Sequence, residues 1–142
     1  MPMKSLISKL LLVAIFNLLC INSHAVRPRY YLTIDVNNIL ILKGKMYIGI
    51  YNNEKDFKNK KYYTGMVTNV KSKTIRIVFR LPKGTYSVQM FQDTNDDETM
   101  NSLFGVPLEP YGVSRNAKGF PSFSNTRFKL DKNKKINIKL KN

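Results

Sequence analysis

The sequence predicts an all-β protein, built as a single antiparallel β-sandwich with one long ordered loop. Three observations carry that expectation. Apolar and polar residues alternate in short runs along the chain, the period of strands with one buried face. Beyond the N-terminal segment no stretch sustains the helical repeat of about 3.6 residues. The length that follows that segment suits one core and not two.

The first 25 residues have the three-part layout of a secretory signal peptide. Lys4 and Lys9 make a basic start, and Leu10 to Ile21 is apolar but for Asn17. Ser23-His24-Ala25 puts small residues where signal peptidase reads, so cleavage is expected after Ala25. The apolar run falls short of the roughly 20 residues that span a bilayer, and Leu19 is too bulky a neighbour for Cys20 to be a lipoprotein cysteine. The expected localisation is periplasmic or secreted, with residues 26–142 as the mature domain.

Cleavage narrows the chemistry. The only Cys and the only His, Cys20 and His24, leave with the leader. Disulfides, His or Cys nucleophiles and His/Cys zinc sites are thereby excluded. Of the 24 basic residues, Lys4 and Lys9 leave too, so 22 face nine acidic ones and the net charge is +13.

The strands are read in order. Leu32, Ile34 and Val36 alternate with Tyr31, Thr33 and Asp35; Met46, Ile48 and Ile50 alternate with Tyr47, Gly49 and Tyr51. Gly65 to Val70 is a weaker run. Ile75, Ile77, Phe79 and Leu81 oppose Thr74, Arg76 and Arg80, and after the turn Pro82-Lys83-Gly84 come Tyr86, Val88 and Met90. Phe128 and Leu130, then Ile136, Ile138 and Leu140, complete the pattern. A tight turn that enters a strand with an inward tyrosine, as at Leu81 to Tyr86, resembles the prealbumin-like and immunoglobulin-like sandwiches.

Asp93 to Phe123 interrupts this alternation for about thirty residues, and loops of that length inside a domain are functional or self-packed. Phe104, Val106, Leu108, Tyr111, Phe120 and Phe123 are expected to cluster on one another within it. Its start holds Asp93, Asp96, Asp97 and Glu98 in six positions of an otherwise basic chain. Two readings are open. As a calcium loop, Asp93, Asn95, Asp97, Thr99 and Asn101 fall at positions 1, 3, 5, 7 and 9, with Glu109 adding to the shell. As a plain turn, the same side chains bond to their own backbone. Glu98 stands where calcium loops carry glycine, and Phe104 where they carry a bidentate Glu.

The words D-T-N-D-D-E-T-M-N, F-G-V-P-L-E-P-Y-G-V-S-R-N-A and G-F-P-S-F resemble the bacterial "domain of unknown function 2141" family. The shared positions are Asp93, Asn95, Asp97, Gly105, Pro107, Glu109, Tyr111, Gly112, Ser114, Asn116, Ala117, Pro121, Ser122 and Phe123, and Leu81, Pro82, Gly84 and Tyr86 fit as well. Gln92 stands where the family often has histidine, Glu98 replaces a glycine, and one residue is missing between Asn101 and Gly105. The resemblance implies an exported sandwich domain and no established activity.

The expected function is a non-enzymatic binding or structural module of the cell envelope. Its contact surface is the 93–123 loop, with Tyr111, Ser114, Asn116, Phe120 and Phe123 as candidate binding residues and calcium as a candidate stabiliser. The alternative is a hydrolase using the loop carboxylates Asp93, Asp97 and Glu109, which would need one carboxyl held protonated in an apolar cleft. Ser114 lacks both a His partner and a Ser-x-x-Lys motif. The positive charge points to an anionic envelope component, a lipid head group or polymer, with another envelope protein as the other partner class. An exported chain without a basic helix is a poor fit to nucleic acid.

Overall fold

The computed structural model describes residues 27–142, so the expected signal peptide lies outside the described residues. Two sheets face each other. One has three strands in the order β10 (Lys134–Lys139), β1 (Arg29–Asn37), β4 (Ile75–Pro82). The other runs β3 (Thr64–Asn69), β2 (Lys45–Tyr51), β5 (Gly84–Asp93), β8 (Tyr111–Val113), with β9 (Phe128–Leu130) paired to the start of β5. The all-β sandwich expectation holds, and each strand read from alternation is present.

The alternation fills the core as strand geometry requires. Leu32, Ile34 and Val36 of β1, and Ile77, Phe79 and Leu81 of β4, face Met46, Ile48 and Ile50 of β2 and Val88 and Met90 of β5. Each such side chain stabilises the fold by about 1.5–3 kcal/mol when fully buried. A change such as Ile34→Ala would forfeit that and leave a cavity besides.

Four connections cross between the sheets, β1–β2, β3–β4, β4–β5 and β9–β10. Between β4 and β5 the chain turns at Pro82-Lys83-Gly84, and the buried Tyr86 donates its hydroxyl to the Pro82 carbonyl at 2.9 Å, fixing the corner. Between β9 and β10 it crosses again, and β10 enters parallel to β1, from Leu32↔Lys134 to Asn37↔Lys139. This pair departs from the all-antiparallel expectation. A strand arriving by a crossover, rather than by a hairpin, is free to run either way.

Two short helices were not expected. In α1 (Glu54–Lys58) the Asn53 side chain accepts the Asp56 N–H at 2.9 Å, and Lys58 pairs with Glu54 at 2.7 Å. In α2 (Phe123–Thr126) Ser122 and Asn125 cap each other reciprocally. The two helices bring Phe57 and Phe123 together edge to face at 6.2 Å, and Tyr51 packs on Phe57 at 5.2 Å. This small cluster closes the end of the sandwich opposite the acidic turn.

Candidate functional site

The 93–123 loop is organised from its base upward. Asp93 is the last residue of β5, paired in register with Lys45 and fully buried. Its Oδ1 accepts the N–H groups of Asp96 (2.6 Å) and Asp97 (3.3 Å), and its Oδ2 accepts that of Glu98 (2.9 Å). Curling the chain around one carboxylate forces Asp96 to φ +65° and Glu98 to φ +62°. Lys45 holds Asp96 from outside at 2.9 Å. Gly44, at φ +74°, makes room for this turn, because a Cβ there would stand 1.9 Å from the Asp93 carbonyl oxygen.

Glu109 clasps the two ends of the next excursion. It is buried, and it accepts the Thr94 N–H at 2.9 Å and the Asn101 N–H at 3.4 Å. Asp97 organises the outside. Its Oδ2 accepts the side-chain amides of Asn95 (2.9 Å) and Asn101 (2.7 Å), and its Oδ1 accepts the Thr99 N–H (3.0 Å). The Asn101 amide, then the Thr99 N–H, hold the Asp97 carboxyl below its ordinary range.

The six candidate calcium ligands thus gather around three carboxylates, Asp93, Asp97 and Glu109, which the Asp97 N–H and Asn101 link to one another. Asp93 and Glu109 spend their oxygens on backbone N–H groups, as in the plain-turn reading. An ion centred on Asp97 would need the Asn95 and Asn101 amides to turn their oxygens inward.

Beyond the clasp the chain forms a small finger, β6 (Ser102–Leu103) paired with β7 (Val106–Pro107), closed at its base by the Leu108 N–H donating to Asn101 at 2.8 Å. Phe104 (φ +49°) and Gly105 (φ +79°) make the two-residue turn, both left-handed as such hairpins require. Phe104 is 96% exposed, and Leu103, Val106 and Leu108 are exposed beside it. A Cβ at Gly105 would touch nothing within 4 Å, so the tip projects freely. The expected internal apolar cluster is therefore corrected: Phe104, Val106 and Leu108 face outward because no layer lies over strands only two residues long, and Phe120, beyond the finger, is exposed as well. Of the remaining members, Phe123 is buried against Phe57 and Tyr51, and Tyr111 is half-buried beneath Lys141.

The other candidate binding residues divide between the loop's inside and its surface. Ser114 is buried, donating to the Thr126 carbonyl at 2.6 Å and accepting the Val88 N–H at 3.0 Å, so its hydroxyl joins β5 to α2. Asn116 accepts the Lys139 N–H at 2.8 Å and donates to the Asn137 carbonyl at 3.1 Å. Asn116 is exposed too, and Phe120 stands out furthest, at 82% exposure. Sequence reasoning missed Gln92, which is buried and donates its amide to the Ile41 and Lys43 carbonyls at 2.7 and 2.8 Å, pinning the β1–β2 loop beside the acidic turn. Leu40, Ile41 and Leu42 of that loop are exposed as well. A polar residue in the inward row Tyr86, Val88, Met90 was the signal available for Gln92.

Residues 34–139 match the model of a family described as "Uncharacterized protein conserved in bacteria (DUF2141)". No curated protein and no solved structure matches the chain. Among the described residues no helix is long and apolar enough to cross a membrane.

Proposed function

The chain belongs to this family, and we propose that it works after export as a non-enzymatic binding or structural module of the cell envelope, with the 93–123 loop as its contact surface. One observation carries the reading: an aromatic side chain stands almost fully exposed at a left-handed position on the tip of the finger. Exposure of Phe104 forgoes burial, and its backbone conformation costs about 1–2 kcal/mol. Strain and exposure together, on a base tied down by Asp93 and Glu109, favour a contact made with something outside the chain. The partner is an anionic envelope component or another envelope protein. Attraction to an anionic surface is supported by the net +13 expected of the mature chain.

Phe104→Ser tests this. The side chain packs against almost nothing, so thermal stability should stay within about 0.5 kcal/mol of wild type. Retention on isolated envelope fractions and on anionic phospholipid vesicles should fall several-fold in at least one of the two. Equal retention of variant and wild type in both would overturn the reading.

Calcium as a fastener of the same loop is a second proposal, favoured by the exposed Asp97 carboxylate with Asn95, Thr99 and Asn101 gathered around it. The hydrolase alternative gains nothing from the geometry, since Asp93 and Glu109 are committed to backbone donors. Turnover of envelope sugars or esters that disappeared in Asp97→Asn would revive it.

A further inference from the structure

The sandwich has several strand edges, and among the described residues β4, β10, β8 and β9, which carries Lys129, are guarded. β4 carries Arg76 and Arg80 and ends in Pro82. β10 carries Lys135 and Lys139, and the Asn116 side chain bonds to its backbone. β8 is covered where Tyr111 and Lys141 exchange backbone hydrogen bonds at 3.0 and 2.8 Å. Lysine, proline and covering side chains are how sheet edges avoid unwanted pairing. Among the described residues β3 has none of these. Its sequence, Thr64-Gly65-Met66-Val67-Thr68-Asn69, holds no charge and no proline, and it ends its sheet beyond β2.

Among the described residues both faces of β3 are partly open as well. Val67 on one face is 51% exposed and Met66 on the other is 40% exposed, so the three-stranded sheet does not reach over this strand. Val70 donates to the Gly44 carbonyl at 3.0 Å, which sets the alternation of the β2–β3 ladder. Thr64, Met66 and Thr68 then turn their amides toward β2, and Gly65, Val67 and Asn69 turn theirs outward.

Charge frames this edge at both ends. Lys60 and Lys61 precede the strand, Lys71 and Lys73 follow it, and all four are exposed. A second copy of the chain is a poor occupant, because antiparallel pairing centred on Val67 would set Lys61 against Lys73. We propose that β3 receives an extended segment of another protein as an added strand, with an uncharged, apolar-alternating centre and acidic residues at its ends. The backbone groups of Gly65, Val67 and Asn69 give the attachment, Met66 and Val67 receive side chains on either face, and the lysines select the acidic flanks. The site is separate from the finger and stands whether or not the finger binds.

The test titrates the intact protein with a synthetic peptide of alternating threonine and valine carrying two glutamates at each end. Binding should protect the Gly65, Val67 and Asn69 amides from hydrogen exchange. Val67→Pro removes an outward N–H that the fold does not use, and should weaken binding by about tenfold or more while circular dichroism stays unchanged. Reversing Lys60, Lys61, Lys71 and Lys73 to Glu should transfer the preference to a lysine-flanked peptide, a check that survives if the proline variant fails to fold. No binding, or binding indifferent to both sets of changes, overturns the proposal. A dimer in sedimentation that Val67→Pro dissociates overturns it in favour of a second copy.

Discussion

Asp93 spends both carboxylate oxygens on three backbone N–H groups that follow it, donors its turn would otherwise leave unsatisfied. The geometry this imposes falls hardest on Glu98, at φ +62°. A side chain there strains the backbone by about 1–2 kcal/mol, and glycine would return roughly half of the relief as lost chain freedom. Glu98→Gly is therefore expected to raise unfolding stability by about 0.5–1 kcal/mol, seen as a higher urea midpoint at unchanged slope. A lower midpoint would mean that the Glu98 side chain holds the turn. This mismatch was legible in the sequence, since position 6 of a curled acidic loop asks for glycine. The N–H bonds to Asp93 belong to one of the two readings of this loop, and a list of residue types cannot say whether a carboxylate takes an N–H, an ion or both.

Among the elements, the acidic turn and its finger offer the sharpest measurement. Calcium at millimolar concentration is expected to raise the melting temperature through preferential binding to the folded state. Extracellular sites are as weak as roughly 10⁻⁴ to 10⁻³ M, and a site that must first rotate two amides belongs at that end. Asp97→Asn should abolish the response, because Asp97 is the exposed centre of its set. A melting curve unmoved by calcium and by chelator would leave the loop a plain turn. The strands were legible because alternation directly reports one buried face. The helices escaped because five and four residues are too few to display a helical period, although Asn53 before Asp56 and Ser122 before Asn125 carried capping chemistry. The finger was misread for a related reason. Apolar residue type says that burial is favourable, but not whether another layer exists to provide it.

For the molecule as a whole, charge is organised on the outer face of the three-stranded sheet. Asp35 receives Arg76 through two hydrogen bonds, at 2.7 and 3.0 Å, and Lys135 at 2.8 Å. Arg76 first, then Lys135, hold its carboxyl far below the ordinary range. A folded-state value below the unfolded one means that its contribution is complete above the unfolded value, about 3.9, and is lost as pH falls toward the folded one. Asp35→Asn should therefore lower stability at neutral pH, with the gap to wild type closing as pH drops below about 4. A gap that persisted into strong acid would point to packing instead of charge. The bundling of β4, β1 and β10 through one carboxylate was not legible, because it depends on which strands are neighbours. Alternation fixes the face of each side chain and is silent on strand order, the same gap that concealed the parallel run of β10.

The pairing of Leu32 with Lys134 has a consequence in time. Contacts this distant in sequence must be bought with chain entropy before they return any energy, which places folding toward the millisecond-to-second end of the range for small domains. A chain delivered lengthwise displays β1 long before the strand that finishes its sheet exists. Through that interval one side of β1 can pair only with whatever happens to be near. The risk of mispairing is thus set less by the finished fold than by how quickly the final strand follows the first.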